Sequence, residues 1–361
     1  MTITFSQPAG NTEHNRSFRT HLGYQRAFRM LALGGQMRFR QRHLPDLATR
    51  ALSAYGTNIN SRVLSPSTED IVRTCLRRSW GAETILCVTA DLSPDPELTR
   101  LALAWGSVQT YYACYAAVQA NLVAEGNPIS EHHNVTQKQA ADYWAIRSSS
   151  LSPWSFAAVE PSHRRACSTG FLNGPGRPLD LSVHAWADPV PGTEWDLSGK
   201  ALRSTRDIRV SEAFRRVREQ KKRDKTKAWR EEEARRLTAG RKPRKTPSIA
   251  LPQLSAGEKT AAQETVRPFT LLDYLFRLRI KANYLDDDMF SQGPESDSAA
   301  ESFASGMQDI VTTTLLVHEL RLGKLVGPRW VLGEVDAWLR DHGGAPVTSG
   351  VASRRAILAT A

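Results

Sequence analysis

The chain has 361 residues, 40 % of them hydrophobic and 24 % charged, with a formal net charge of +11. That length carries one large or two ordinary domains with full cores, and the composition excludes a fibrous or wholly disordered chain. No apolar run reaches the roughly 20 residues of a membrane span, and the N-terminal MTITFSQPAGNTEHNRSF lacks the build of a secretion signal, so a cytoplasmic protein without membrane contact is expected.

The first stretch, about 16 to 56, predicts one or two helices, with Tyr24, Phe28 and Leu31 at helical spacing and Gly34, Gly35 and Pro45 as punctuation. Residues 56 to 96 read as less regular, with Pro66, Pro94 and Pro96 marking loops and Thr84 to Val88 a short strand. The strongest element is PELTRLALAWGSVQTYYACYAAVQANLVAEG, from Pro96 to Gly126. Leu98, Leu101, Trp105, Val108, Tyr112, Tyr115 and Leu122 form its stripe, and small residues fill other faces, which predicts a helix at the centre of a bundle. A further helix is expected from Asn134, whose spacing to Gln137 resembles a capping box.

Residues 151–204 are rich in Ser, Pro and Gly and predict an irregular insertion, with Leu179, Leu181, Val183 and Ala185 alternating like a strand. Residues 205–245 predict a projecting basic helix, apolar only through Val210, Phe214 and Val217, and 246–265 a Pro-rich linker with no reason to fold. The helical pattern resumes over 266–342, with Pro268 at a first helical position, Leu271, Leu275 and Leu278 as a stripe, a Ser298-x-x-Glu301 capping box, and Pro328 opening the last helix. Residues 343–361 read as a flexible tail. The expected fold is mainly α, a helical bundle built from 10–150 and 266–342 and interrupted by the insertion and the basic arm.

No phosphate-binding loop, dinucleotide fingerprint, zinc-protease or serine-hydrolase motif is present, so no cofactor is expected. The four cysteines (Cys75, Cys87, Cys114, Cys167) include no C-x-x-C pair. His132 and His133, with His163 and Cys167 further along, lack the carboxylate or thiolate spacing of a metal site and read as loop residues.

The basic charge is concentrated. Residues 203 to 245 hold 18 Lys and Arg against 7 Asp and Glu, a surplus of 11 that equals the net charge of the whole chain. A second basic zone, residues 1 to 50, holds eight arginines against Glu13 and Asp46. Helical i,i+4 pairs such as Glu219 with Arg223 cannot neutralise the surplus of the arm, and an unneutralised stripe attracts polyanions. Arg215, Arg216, Arg218, Lys221, Lys222, Arg223, Lys225, Lys227 and Arg230 are therefore the expected contacts to RNA or another polyanion. Trp229 among them either stacks on a base or anchors the arm. The competing expectation is a scaffold whose basic helix docks on an acidic protein partner.

Two further stretches carry a family resemblance. AWGSVQTYYACYAAVQANLVAEGNPISEHHN (104 to 134) pairs an apolar, Tyr-Tyr helix with a Gly-terminated end and a following His; DYLFRLRIKANYLDDDMF (273 to 290) places Arg279, Asn283 and Tyr284 at a helix end. Together they resemble the HEPN superfamily, small α-helical proteins of bacterial defence and toxin–antitoxin systems. The resemblance implies a four- or five-helix bundle, often dimeric, and in active members a metal-independent endoribonuclease using an Arg followed four to six residues later by a His. Carried over, it marks Arg279, Asn283 and Tyr284 as catalytic-site candidates, with Tyr284 where the His belongs. A Tyr of pKa about 10 is a poor base at neutral pH, so catalysis stays open. Arg16/His21 and Arg38/His43 also match the Arg-to-His spacing, as an Arg-rich chain does by chance. The competing reading of 277–284 is a helix C-terminus, with Arg277, Arg279 and Lys281 complementing the dipole and Tyr284 packed inside.

Overall fold

The computed structural model describes residues 13–35, 40–56, 59, 61–91, 95–146, 151–158, 173–174, 177–178, 194–247, 250–342 and 349–360. The described chain is a mainly α bundle, as expected. In order come α1 (Glu13–Ala32), α2 (Leu44–Tyr55), α3 (Pro66–Asp91), α4 (Pro96–Ala124), α5 (His133–Ala140), α6 (Glu194–Thr238) and α7 (Ala256–Glu264). After them come α8 (Leu271–Ile280), α9 (Asp288–Ser291), α10 (Asp297–Val326), α11 (Pro328–His342) and α12 (Ser349–Leu358). Single π-helical turns continue α5 over Ala141–Ile146 and α8 over Lys281–Leu285. The strand content among the described residues is one two-residue pairing, Asn173–Gly174 with Arg177–Pro178. No described helix is long and apolar enough to cross a membrane.

α4 and α10 lie against each other at the centre. α3 and α8 pack on α4, and α1, α2 and α11 pack on α10. Both central helices are buried on nearly every face, α4 from Gly106 to Ala124 and α10 from Ile310 to Gly323. Gly106 permits their close approach, since a Cβ there would stand 2.7 Å from Met307 Cε. Burying apolar faces on both sides of two long helices is what lets segments such as those of Asn121 and His318, 197 positions apart, share one core.

Several local expectations fail for identifiable reasons. Thr84 to Val88 is helical, within the last third of α3: Leu86 turns inward while Ile85 and Val88 stay exposed, which is not the alternation of a strand. The N-terminal third of α4 lies at the rim: Leu98, Leu101 and Trp105 are 48 %, 47 % and 64 % exposed, while Leu103, Ser107 and Val108 turn inward. The residue capping α5 is His132, not Asn134. α8 opens at Thr270, whose backbone N–H donates to Asp273 at 2.8 Å, rather than at Pro268. α10 is capped by Ser296, which accepts from the Ala299 N–H at 3.2 Å, rather than by Ser298. The alternating run Leu179 to Ala185 lies outside the described residues. Within the expected insertion, 151–158 packs into the core through Trp154 and Phe156, and Ala158 and Phe269 exchange backbone hydrogen bonds at 2.8 and 3.0 Å.

The expected tail contains a docked helix. α12 inserts Arg354, 1 % exposed, between two buried carboxylates. Its guanidinium donates to Glu83 at 2.5 and 2.8 Å and to Glu319 at 2.8 and 3.0 Å, and Trp80 Nε1 donates to Glu319 at 2.8 Å. Gly350 passes so close that a Cβ would stand 2.6 Å from Glu83 Oε1. Arg354 thus ties α12 to α3 and α10 at once.

Candidate nucleic-acid interface

The arm is the exposed part of α6, a 45-residue helix about 68 Å long at 1.5 Å per residue. Its start, from Asp196 to Val210, is buried against α1 and α8. Arg206 donates to the Gln263 carbonyl at 2.9 Å, and Arg277 of α8 donates to Ser204 at 2.7 Å. The arm therefore begins inside a packed helix and not at 205. Beyond Val210 the helix carries mostly charge, and Glu233 is the buried residue of this portion.

The described residues of the expected linker, 246–247 and 250–265, do not behave as a free linker: together with 240–245 they return along the arm. Arg244 donates to Glu233 from its backbone N–H and from Nε, both at 2.6 Å, and its guanidinium stands 6.0 Å from the Trp229 ring centroid. Lys221 pairs with Glu258 at 2.6 Å, and Glu258 in turn caps α7 with Ser255. Leu254 and Ala262 are buried. Arg244 thereby anchors the returning segment on α6, beside Trp229.

The covered side leaves a face on which Arg216, Arg223, Lys227 and Arg230 recur at spacings of seven, four and three residues. All four are exposed, along about 21 Å of one helical face. Arg223 and Arg230 form no ion pair among the described residues, and the nearest carboxylates to Arg216 and Lys227 stand 4.0 and 3.9 Å away. Such surface pairs contribute roughly 0–1 kcal/mol and leave the stripe positive. Lys222 and Lys225 are exposed, Lys225 on the side of the helix opposite Arg216; Arg215 lies 3.8 Å from Glu219, and Arg218 is half-buried.

The second cluster forms where α8 crosses α4. Arg279 is half-buried, with its guanidinium 5.1 Å from the Tyr112 ring centroid, 5.6 Å from Phe276 and 5.8 Å from Tyr111. It has no carboxylate or hydrogen-bonded partner among the described residues, and its Nε is buried without one. His133 closes the cluster, 4.8 Å from the Tyr115 ring and with Nδ1 2.8 Å from the Tyr111 hydroxyl. Burial first, and then the Arg279 cation, hold His133 below its ordinary pKa. Burial pushes the Tyr111 hydroxyl far above its ordinary value. The pair is therefore neutral near pH 7, beside an uncompensated cation.

The sequence candidates are only partly brought together. Asn283 and Tyr284 sit on the π-helical turn and face solvent, Tyr284 71 % exposed, so Tyr284 is not packed inside. That turn is pinned by Asp286, which accepts from Lys281 at 2.8 Å and lies 3.2 Å from His14 on α1. Arg277 points away from Arg279, toward α6. The residue beside Arg279 is His133, some 146 positions earlier, which linear spacing does not reveal. Of the chance matches, His21 is buried against Tyr274 and held down to about 3, first by burial and then by nearby cations, while Arg16 is exposed; Arg38 lies outside the described residues. Among the described residues no group of three or more His, Cys, Asp or Glu is arranged to hold a metal ion; His163 and Cys167 lie outside them. No family model, curated protein or solved structure matches this chain.

Proposed function

We propose that this is a cytoplasmic, HEPN-like RNA-binding protein that holds its ligand along the solvent face of α6. The observation that carries the reading is the run Arg216, Arg223, Lys227 and Arg230: four exposed cations on one helical face, two of them without an ion pair among the described residues and two with a single surface pair at 4.0 and 3.9 Å. A stripe of that kind displaces condensed counterions from a phosphate backbone and binds with little regard to sequence.

Arg279 supports the same reading as a second phosphate contact. A guanidinium held over three aromatic rings, without an anion of its own, is preorganised for a charge-assisted bond. The Tyr111 hydroxyl, kept protonated by burial, shares a hydrogen bond with Nδ1 of His133 and fixes the ring beside Arg279.

The test is filter binding of a single-stranded RNA to the parent and to Arg216→Glu/Arg223→Glu/Lys227→Glu/Arg230→Glu. The variant is expected to lose binding by at least 100-fold with an unchanged helical melt. Unchanged affinity would overturn the reading.

A further inference from the structure

Four helices meet around a cavity of about 110 Å³ where α10 gives way to α11. Leu52 of α2, Leu320 and Gly323 of α10, Pro328 and Val331 of α11 and Leu358 of α12 form its wall. Two further cavities, against Trp144 and against Met307, measure about 30 and 20 Å³, room for about one water each. Gly323 has no side chain to fill the larger space, and the chain turns into Pro328 through Gly327, whose φ of +102° favours glycine. An apolar cavity of roughly 150 Å³ takes a benzene ring, and at roughly 30 Å³ per water-sized group this one takes about four carbons. Its volume fits a short aliphatic tail.

The mouth carries a positive charge. Lys324 completes the lining and is exposed, so its stem lies along the wall and its ammonium stands at the rim. It forms no ion pair among the described residues. The two acids within one helical turn of the lining residues are held by arginines, Glu319 by Arg354 at 2.8 Å and Glu334 by Arg73 at 2.9 Å. Arg329, exposed next to Pro328, adds to the charge of the rim. The end of α10 and the start of α11 meet here, and their opposite end charges offset each other. Lys324 therefore sets the sign of the mouth. An apolar pocket under a cation is complementary to a carboxylate with a short alkyl tail.

We infer that this cavity binds short-chain aliphatic monocarboxylates, with about four carbons of tail inside and the carboxylate on Lys324. None of the lining residues belongs to the arm, and the inference does not rest on RNA binding.

The experiment is thermal melting of the full chain with sodium n-alkanoates of two to eight carbons and the matching n-alcohols, at constant ionic strength. The rise in melting temperature reports affinity by linkage. Affinity is expected to increase about 4-fold per methylene as far as pentanoate and to fall beyond it. Pentanoate should bind about 5-fold or more tightly than the alcohol of the same length. Lys324→Gln, at an exposed position, should erase that preference and leave the melt of the free protein unchanged. Gly323→Ala should move the optimum one carbon shorter; its Cβ would stand 3.5 Å from Pro328 Cα, an ordinary contact. A parent that responds to none of the acids, or equally to all chain lengths, would overturn the inference. A preference for the carboxylate that survives Lys324→Gln would overturn it as well.

Discussion

Replacing Arg354 by Met tests how the end of the chain is held. The side chain is 1 % exposed and meets two carboxylates that are themselves buried, Glu83 and Glu319. Met fills much of the aliphatic volume but removes every one of the four guanidinium contacts, leaving two acids facing each other without a cation. Breaking a buried ion pair from one side typically costs about 3–5 kcal/mol. Burial already pushes the Glu319 carboxyl up, with Arg354 opposing, so without Arg354 it rises further. A carboxyl raised in the folded state stabilises most below its unfolded pKa and loses that contribution as pH rises through the folded value. The defect in Arg354→Met should therefore be largest near pH 8 and shrink toward pH 5. Urea unfolding followed by circular dichroism at both pH values measures it. A variant as stable as the parent at pH 8 would refute the docking of α12 through this residue.

Other outcomes follow from the same geometry. Arg279→Ala should weaken RNA binding about 10-fold or more, the size of one charge-assisted contact, in competition binding; loss of stability with RNA affinity intact would make it a packing residue only. Asp309, paired with Arg29 at 3.4 Å, is pushed up to about 6 by burial, with Arg29 opposing. The parent should therefore lose about 2 kcal/mol relative to Asp309→Asn as pH rises from 4 to 7, read from paired urea titrations. Equal pH dependence of the two proteins would show that Asp309 titrates normally.

The bundle and the arm were legible because both rest on local pattern. α4 and α10 show apolar and small residues around most of their circumference, and α6 shows a charge surplus that no other segment approaches. What was not legible depends on distant partners. The C-terminal third of α3 reads as strand by β-branched composition, and the side it buries is set by its contact with α4. α12 has a small, polar sequence whose docking rests on Arg354, with acids 35 and 271 positions away. Residues 246–265 read as linker because Glu258 finds its partner, Lys221, on a different helix. At the Arg279 cluster the spacing pointed along α8 to Tyr284, whereas the neighbouring imidazole comes from the start of α5.

The central claim is that phosphate contact runs through the exposed stripe of α6, and the salt dependence of RNA affinity tests it most directly. The four cations of the stripe on single-stranded RNA contribute about −2.8 to the slope of log K against log salt, about a 50-fold loss of affinity between 50 and 200 mM salt. Neutralising Lys227 and Arg230 with Gln should make the slope shallower by about 1.4 while the helical melt is unchanged. A flat salt dependence in the parent, or the same slope in the Gln variant, would contradict the account.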